Sequence, residues 1–167
     1  DAFPDDKELL FRQAMLEHHL GRSQDAVATY RRVLTGNSGR HFSSIDAGLD
    51  GFKARHNLAL VYEELEDFEA AAAEWLRITQ EQPNYLPAQR GLIDAWFQSR
   101  KIVELEEQCT VLGQSSDRAM KNLRPYCEGR IAELRGDIDG ALIVLAEARR
   151  LEPRDLTGLR QICRILF

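Results

Sequence analysis

The stretch GFKARHNLALVYEELEDFEAAAAEWLRITQEQPN, residues 51–84, decides the fold. Apolar and small residues recur through it at helical spacing, the mark of helices with one buried face. Counting Phe52 as position 1, Leu58, Ala59 and Tyr62 fall at positions 7, 8 and 11, Ala71 at 20, Trp75 at 24 and Pro83 at 32. A proline there can begin a new helix but cannot continue the last one. Helical signals continue along the rest of the chain, and alternating β-branched runs bounded by tight hairpin turns are missing, so the class is all-α.

The same register recurs when counting starts at Lys7, Leu86, Asn122 and Leu156, at spacings of 45, 34, 36 and 34 residues. Self-similarity at such a period is the signature of a repeat architecture. Position 20 reads Ala26, Ala71, Leu105 and Ala141, and position 8 reads Ala14, Ala59, Ile93 and Gly129. Small residues at both places let two helices cross closely, so the third repeat, with Ile93 and Leu105, is expected to hold its helices further apart. Gly21 and Gly136 occupy position 15, the turn between helices, where glycine adopts a left-handed conformation easily. Pro83 and Pro153 close the second and fourth repeats.

This pattern resembles the tetratricopeptide repeat. The resemblance implies a right-handed α-solenoid of about four helix pairs plus a final helix, with a concave face made mainly by the first (A) helix of each pair. The repeats are read as 7–35, 52–85, 86–121 and 122–155, with a partial repeat at 156–167 and an insertion at 36–51, all in one domain spanning 1–167. Residues 156–167, LTGLRQICRILF, have the register of a fifth A helix with no partner after it, and the chain is expected to be a piece of a longer protein. Within the insertion, Gly36, Asn37, Ser38 and Gly39 form turns. Ser43 or Ser44 then caps a helix carrying Ile45, Leu49 and Phe52, which lengthens the A helix of the second repeat by about two turns. Arg40, His41, Ser44 and Asp46 border the groove if the insertion touches a ligand.

The insertion carries a narrower resemblance. The run FSSIDAGLDGFKARHNLALVY, preceded by RQAMLEHHLGRSQDAVATYRRVL, is similar to the repeat region that follows a family 2 glycosyltransferase domain in some bacterial enzymes, over roughly residues 1–100. That resemblance implies a non-catalytic accessory arm that positions an acceptor for a covalently linked catalytic domain in the parent chain. The metal-binding aspartate pair of such a catalytic domain has no counterpart here.

Composition narrows the function. The 167 residues are 44% hydrophobic and 29% charged, enough apolar material for a continuous core. A net charge of −5 argues against nucleic acid as a partner. No apolar run approaches the length of a membrane span, and DAFPDDKELL has neither the basic start nor the apolar stretch of a signal peptide. Three cysteines without C-x-x-C spacing suit a reducing compartment, so the expected location is cytoplasmic.

Catalytic chemistry finds little support. His18 and His19 are adjacent and point about 100° apart on a helix, too divergent to chelate one ion. No H-E-x-x-H spacing, P-loop or G-x-G-x-x-G occurs. No metal, cofactor or catalytic residue is therefore assigned. Cys109 and Cys163 take core positions 24 and 8, and Cys127, at position 6, is expected to be the thiol that meets solvent.

The resemblance places positions 2, 5, 6, 9 and 12 of each A helix on the inner face. The candidate partner-binding residues there are Arg12, Lys53, His56, Asn57, Arg90, Asp94, Phe97, Tyr126 and Arg130, a polar and aromatic strip suited to a protein or peptide. Position 6 is asparagine in peptide-binding relatives, where the amide offers both donors and acceptors to an extended backbone. Only Asn57 keeps it. The carboxylate clamp of the family is broken, because Phe11, Met15, Pro87 and Gly91 stand at four of its five positions. The expected function is that of a scaffold or protein-interaction module.

Overall fold

The computed structural model describes residues 6–35, 51–153 and 156–167. Among them the chain is all-α, with nine helices packed in chain order as repeat pairs. These are α1 (Lys7–His19), α2 (Ser23–Thr35), α3 (Phe52–Glu64), α4 (Phe68–Glu81), α5 (Leu86–Gln98), α6 (Ile102–Gln114), α7 (Arg118–Leu134), α8 (Ile138–Leu151) and α9 (Thr157–Leu166). The chain divides into two compact units, Asp1–Leu92 and Ile93–Phe167, with the division inside α5.

In the first unit the small residues of positions 8 and 20, Ala14, Ala26, Ala59 and Ala71, are fully buried. Around them Tyr30, Leu58, Trp75 and Ile78 lose nearly all contact with solvent. Burying side chains of this size stabilises by about 1.5–3 kcal/mol each. Two acids share this interior, and each is satisfied. Glu17 accepts from Gln13 Nε2 and from Thr29 Oγ1, both at 2.7 Å, and Glu74 pairs with Arg55 at 2.9 Å and Arg77 at 2.6 Å.

In the second unit α7 and α8 cross at Gly129, where an added Cβ would lie 2.7 Å from Leu145 Cγ. The position-20 partner in that repeat, Ala141, is fully buried. Ile93 and Leu105, the large residues of the third repeat, are fully buried as well. Helix α7 starts four residues before the Asn122 expected from the register. The reason is Asp117, whose carboxylate accepts from the backbone N–H groups of Ala119 and Met120 and so supplies an N-cap upstream. The helix then runs through Pro125 in its interior, a position where proline removes one backbone donor.

The turn inside each helix pair is the same in all four repeats. The position-15 amide donates to the carbonyl three residues back: Gly21 to His18, Glu66 to Glu63, Arg100 to Phe97 and Gly136 to Glu133. The next amide reaches five residues back, as from Arg22 to Glu17 at 2.8 Å and from Asp67 to Tyr62 at 2.9 Å. Lys101 to Trp96 and Asp137 to Ala132 complete the set. This is the Schellman arrangement, which needs a left-handed residue at its centre. Gly21 and Gly136 provide it at φ 71° and 78°, as the sequence led us to expect. Glu66 and Arg100 adopt it too, at φ 58° and 57°, despite their side chains.

The two extra turns expected ahead of Phe52 in the A helix of the second repeat fall on residues 44–50, outside the described residues. Helix α3 begins at Phe52 with Gly51 as its N-cap. Glycine disfavours helix continuation, and Gly51 itself has φ −126° and ψ −123°, outside helical geometry. The remainder of the insertion, including Arg40, His41, Ser44 and Asp46, lies outside the described residues.

Candidate partner-binding site

The nine candidate residues fall in two groups, one in each unit. In the first unit Arg12 is largely exposed on α1, its guanidinium paired with Glu8 one turn earlier at 2.7 Å. Lys53 and His56 stand on the first two turns of α3, both half-buried, and Asn57 follows. The His56 ring meets the edge of Trp75 at 4.9 Å and of Tyr85 at 5.8 Å, and its Nδ1 lies 3.3 Å from the Tyr85 hydroxyl. Tyr85 is held in turn by the edge of Phe52 at 5.7 Å. Burial holds the imidazole pKa of His56 below its ordinary value, so the ring is neutral at physiological pH and offers one donor and one acceptor.

Asn57 hydrogen-bonds the phenol of Tyr30, whose pKa burial raises. One bond leaves an amide with further donor and acceptor capacity. Arg90 is half-buried on the unit-1 part of α5. Its neighbour Gly91 explains how α5 fits there: an added Cβ would lie 2.4 Å from Trp75 Cε2, so only glycine admits the indole. The indole is fixed at its other end, where Nε1 donates to Glu63 Oε1 at 2.6 Å. Trp75 and Tyr85 thus shape this strip without standing at inner-face positions of an A helix. Tyr85, two residues past Pro83, carried no periodic signal that could have singled it out.

In the second unit the structure brings Asp94, Phe97, Tyr126 and Arg130 together. The Tyr126 hydroxyl donates to Asp94 Oδ1 at 2.5 Å, and Arg130 donates to the same oxygen through Nη2 at 2.6 Å and Nε at 3.1 Å. The Arg130 guanidinium stacks 4.1 Å from the Phe97 ring centroid. Burial raises the Tyr126 pKa, and the Asp94 charge adds to it. Burial alone would lower that of Arg130, but Asp94 and Tyr126 outweigh it and hold the guanidinium above its ordinary value. The network extends to α9: Glu133 accepts from Gln161 Nε2 at 2.5 Å and pairs with Arg164, whose guanidinium lies 5.2 Å from Phe97. Two guanidinium groups thus approach the Phe97 ring. The side chain of Arg130 is only 7% exposed. These residues bind one another.

The thiols depart from expectation. Cys127 is fully buried and Cys163 is exposed. Position 6 of α7 faces α6, where the Cys127 thiol donates to the Leu105 carbonyl at 3.3 Å. Cys109 is buried, as its core position implied.

Among the described residues no group of three or more histidine, cysteine or acidic side chains could hold a metal ion. Nor is any described helix long and apolar enough to cross a membrane.

Comparison with known proteins is consistent with this architecture. The family model described as tetratricopeptide repeat matches residues 1–41. A comparison with curated protein sequences finds no match. Among solved structures, a tetratricopeptide repeat protein from Parabacteroides merdae aligns over 97% of this chain with a TM-score of 0.66 at 17% identity. This chain spans only 58% of that protein's length. A second, described as MamA 41-end from Desulfovibrio magneticus RS-1, aligns over 96% of this chain and 84% of its own, with a TM-score of 0.62 at 14% identity. The sequence match over 1–41, the helix pairs at the 34-residue period and these fold likenesses make this a protein of tetratricopeptide-repeat architecture.

Proposed function

We propose that the chain is a protein-interaction module that holds an extended peptide, or a segment of a partner protein, on the strip formed by Lys53, His56, Asn57 and Arg90, with Arg12 at its margin. The observation that carries this reading is the contrast between the two groups of candidates. Inside the second unit the Tyr126 hydroxyl and the Nε and Nη2 of Arg130 all donate to Asp94 Oδ1. Asn57 and His56 are half-exposed and keep hydrogen-bonding capacity, on a neutral ring and an amide suited to peptide groups. Lys53 and Arg90 add positive charge for acidic side chains. The module itself performs no catalysis, and the cytosol suits its three free thiols.

Titrating the protein with a peptide library by calorimetry tests the assignment. Asn57→Ala combined with Arg90→Ala is expected to weaken the best binder about tenfold or more, or about 1.4 kcal/mol. Binding unchanged by both substitutions removes this strip from the interface.

The run FSSIDAGLDGFKARHNLALVY supports a second reading, in which the repeats are the accessory arm of a bacterial family 2 glycosyltransferase and present an acceptor to its catalytic domain. The open reading frame surrounding this segment decides between them: a glycosyltransferase domain in the same chain favours the arm. Turnover of a nucleotide sugar by this segment alone would overturn both readings.

A further inference from the structure

Two of the three thiols meet inside the second unit. Cys109 lies on α6 and Cys127 on α7, helices that pack directly on each other. The Cys127 sulfur sits 3.3 Å from the carbonyl of Leu105, one turn before Cys109 on α6. It therefore lies on the strip of α6 that carries Cys109, close enough for the two sulfurs to influence each other's ionisation. Both are free. Cys127 is wholly enclosed, whereas Cys109 keeps 9% of its surface open to solvent. Glu106 of α6 and Arg124 and Glu128 of α7 are the charged groups that act on Cys109.

We infer that Cys109 and Cys127 form a peroxide-sensitive thiol pair that oxidises to an intramolecular disulfide and clasps α6 to α7. The two sulfurs are unequal, as such a reaction requires. Cys127, whose S–H donates to the Leu105 carbonyl, is held above its ordinary pKa by its interaction with Cys109 and by burial, and the interaction with Cys127 holds the Cys109 thiol below its own. The thiolate is the nucleophile, so the sulfur with the solvent opening is also the one that ionises first. Its attack on hydrogen peroxide forms an S–O bond and breaks the O–O bond. Sulfur is oxidised to the sulfenic acid and the departing hydroxide takes the proton lost by Cys109 to become water. The Cys127 sulfur then attacks that of Cys109. The S–O bond breaks, hydroxide leaves with the Cys127 proton as a second water, and the S–S bond closes. Two thiols and one peroxide give one disulfide and two waters.

The test uses the chain with Cys163→Ser, which removes the exposed thiol on α9. After peroxide treatment, quenching, denaturation and alkylation, the intact mass is expected to fall by about 2 Da, for two lost hydrogens. Cys109 and Cys127 should then appear as one linked peptide pair without alkyl adducts, reversibly with dithiothreitol. Adding Cys127→Ser removes the resolving sulfur, and Cys109 should stop at the sulfenic acid, trapped by dimedone. The inference is overturned if both thiols remain alkylatable under peroxide that oxidises Cys163 in the unsubstituted chain. It is overturned equally if the two sulfurs gain oxygen separately without linking, or if the disulfide forms only once the helical circular dichroism signal is lost.

Discussion

Replacing Glu66 or Arg100 by glycine should stabilise the protein, although each substitution deletes a side chain. Both residues sit at φ near 58°, in the left-handed region, at the centre of a Schellman turn. A side chain there costs about 1–2 kcal/mol through the contact of Cβ with the following carbonyl. Neither side chain makes a hydrogen bond or ion pair among the described residues, and both are exposed, so removal loses little. Against the gain stands the extra freedom of glycine in the unfolded chain, about 0.4–1 kcal/mol. The net is about 0.8 kcal/mol per site, or about 2 °C in melting temperature for a chain of this size. The two turns share no partner, so the double variant should show roughly the sum.

The mirror experiment is Gly21→Ala and Gly136→Ala. No atom lies within 4 Å of a Cβ built at either glycine, so any loss reports backbone conformation and not collision. Urea denaturation followed by circular dichroism at 222 nm, with thermal melts alongside, reads all four variants. A midpoint lowered by Glu66→Gly and Arg100→Gly, or raised by Gly21→Ala and Gly136→Ala, would refute the reasoning that position 15 selects for left-handed backbone.

Asp94→Ala should destabilise by about 2 kcal/mol. That is below the value for a fully buried pair because the Asp94 side chain is 31% exposed and water can partly replace it at Arg130. Asp94→Asn, which keeps an acceptor for Tyr126 and Arg130, should cost less in the same urea titration. Equal losses would show that charge and not hydrogen bonding holds the network. His56 should make the fold acid-sensitive. Its folded pKa lies below the ordinary 6.5, so as pH falls through that value the unfolded chain takes up the proton first. The contribution is therefore full above 6.5 and lost below it. Urea midpoints compared between about pH 7.5 and about pH 5.5 should fall less in His56→Gln than in the parent, and an identical fall in both would contradict this.

Local signals in the sequence were sufficient for the helices, the 34-residue period and the crossing residues. Ala14, Ala59, Ala71 and Gly129 announce close helix contacts because only small side chains permit them, and each is buried where the register put it. Gly21 and Gly136 announce their turns for the same kind of reason, since glycine is the residue that costs least at positive φ. The same rule misses Glu66 and Arg100, where the fold imposes the conformation on residues that do not prefer it. The first residues of helices depend on caps that periodicity does not register, and Asp117 moved the start of α7 upstream of the register.

The site was legible only as a set of positions. Register alone puts Tyr126, Arg130 and Cys127 on an open strip, but which of them meets solvent depends on what the neighbouring helices present. Asp94 and Phe97 enclose Arg130, and the Leu105 carbonyl of α6 meets Cys127. Those partners are separated by 22 to 36 residues in the chain. A helical period describes one element at a time, whereas exposure and hydrogen bonding are properties of pairs of elements. The sequence by itself determined the repeat and its register; the packing of one helix on another decided which side chains stay available to a partner and which are consumed by the fold.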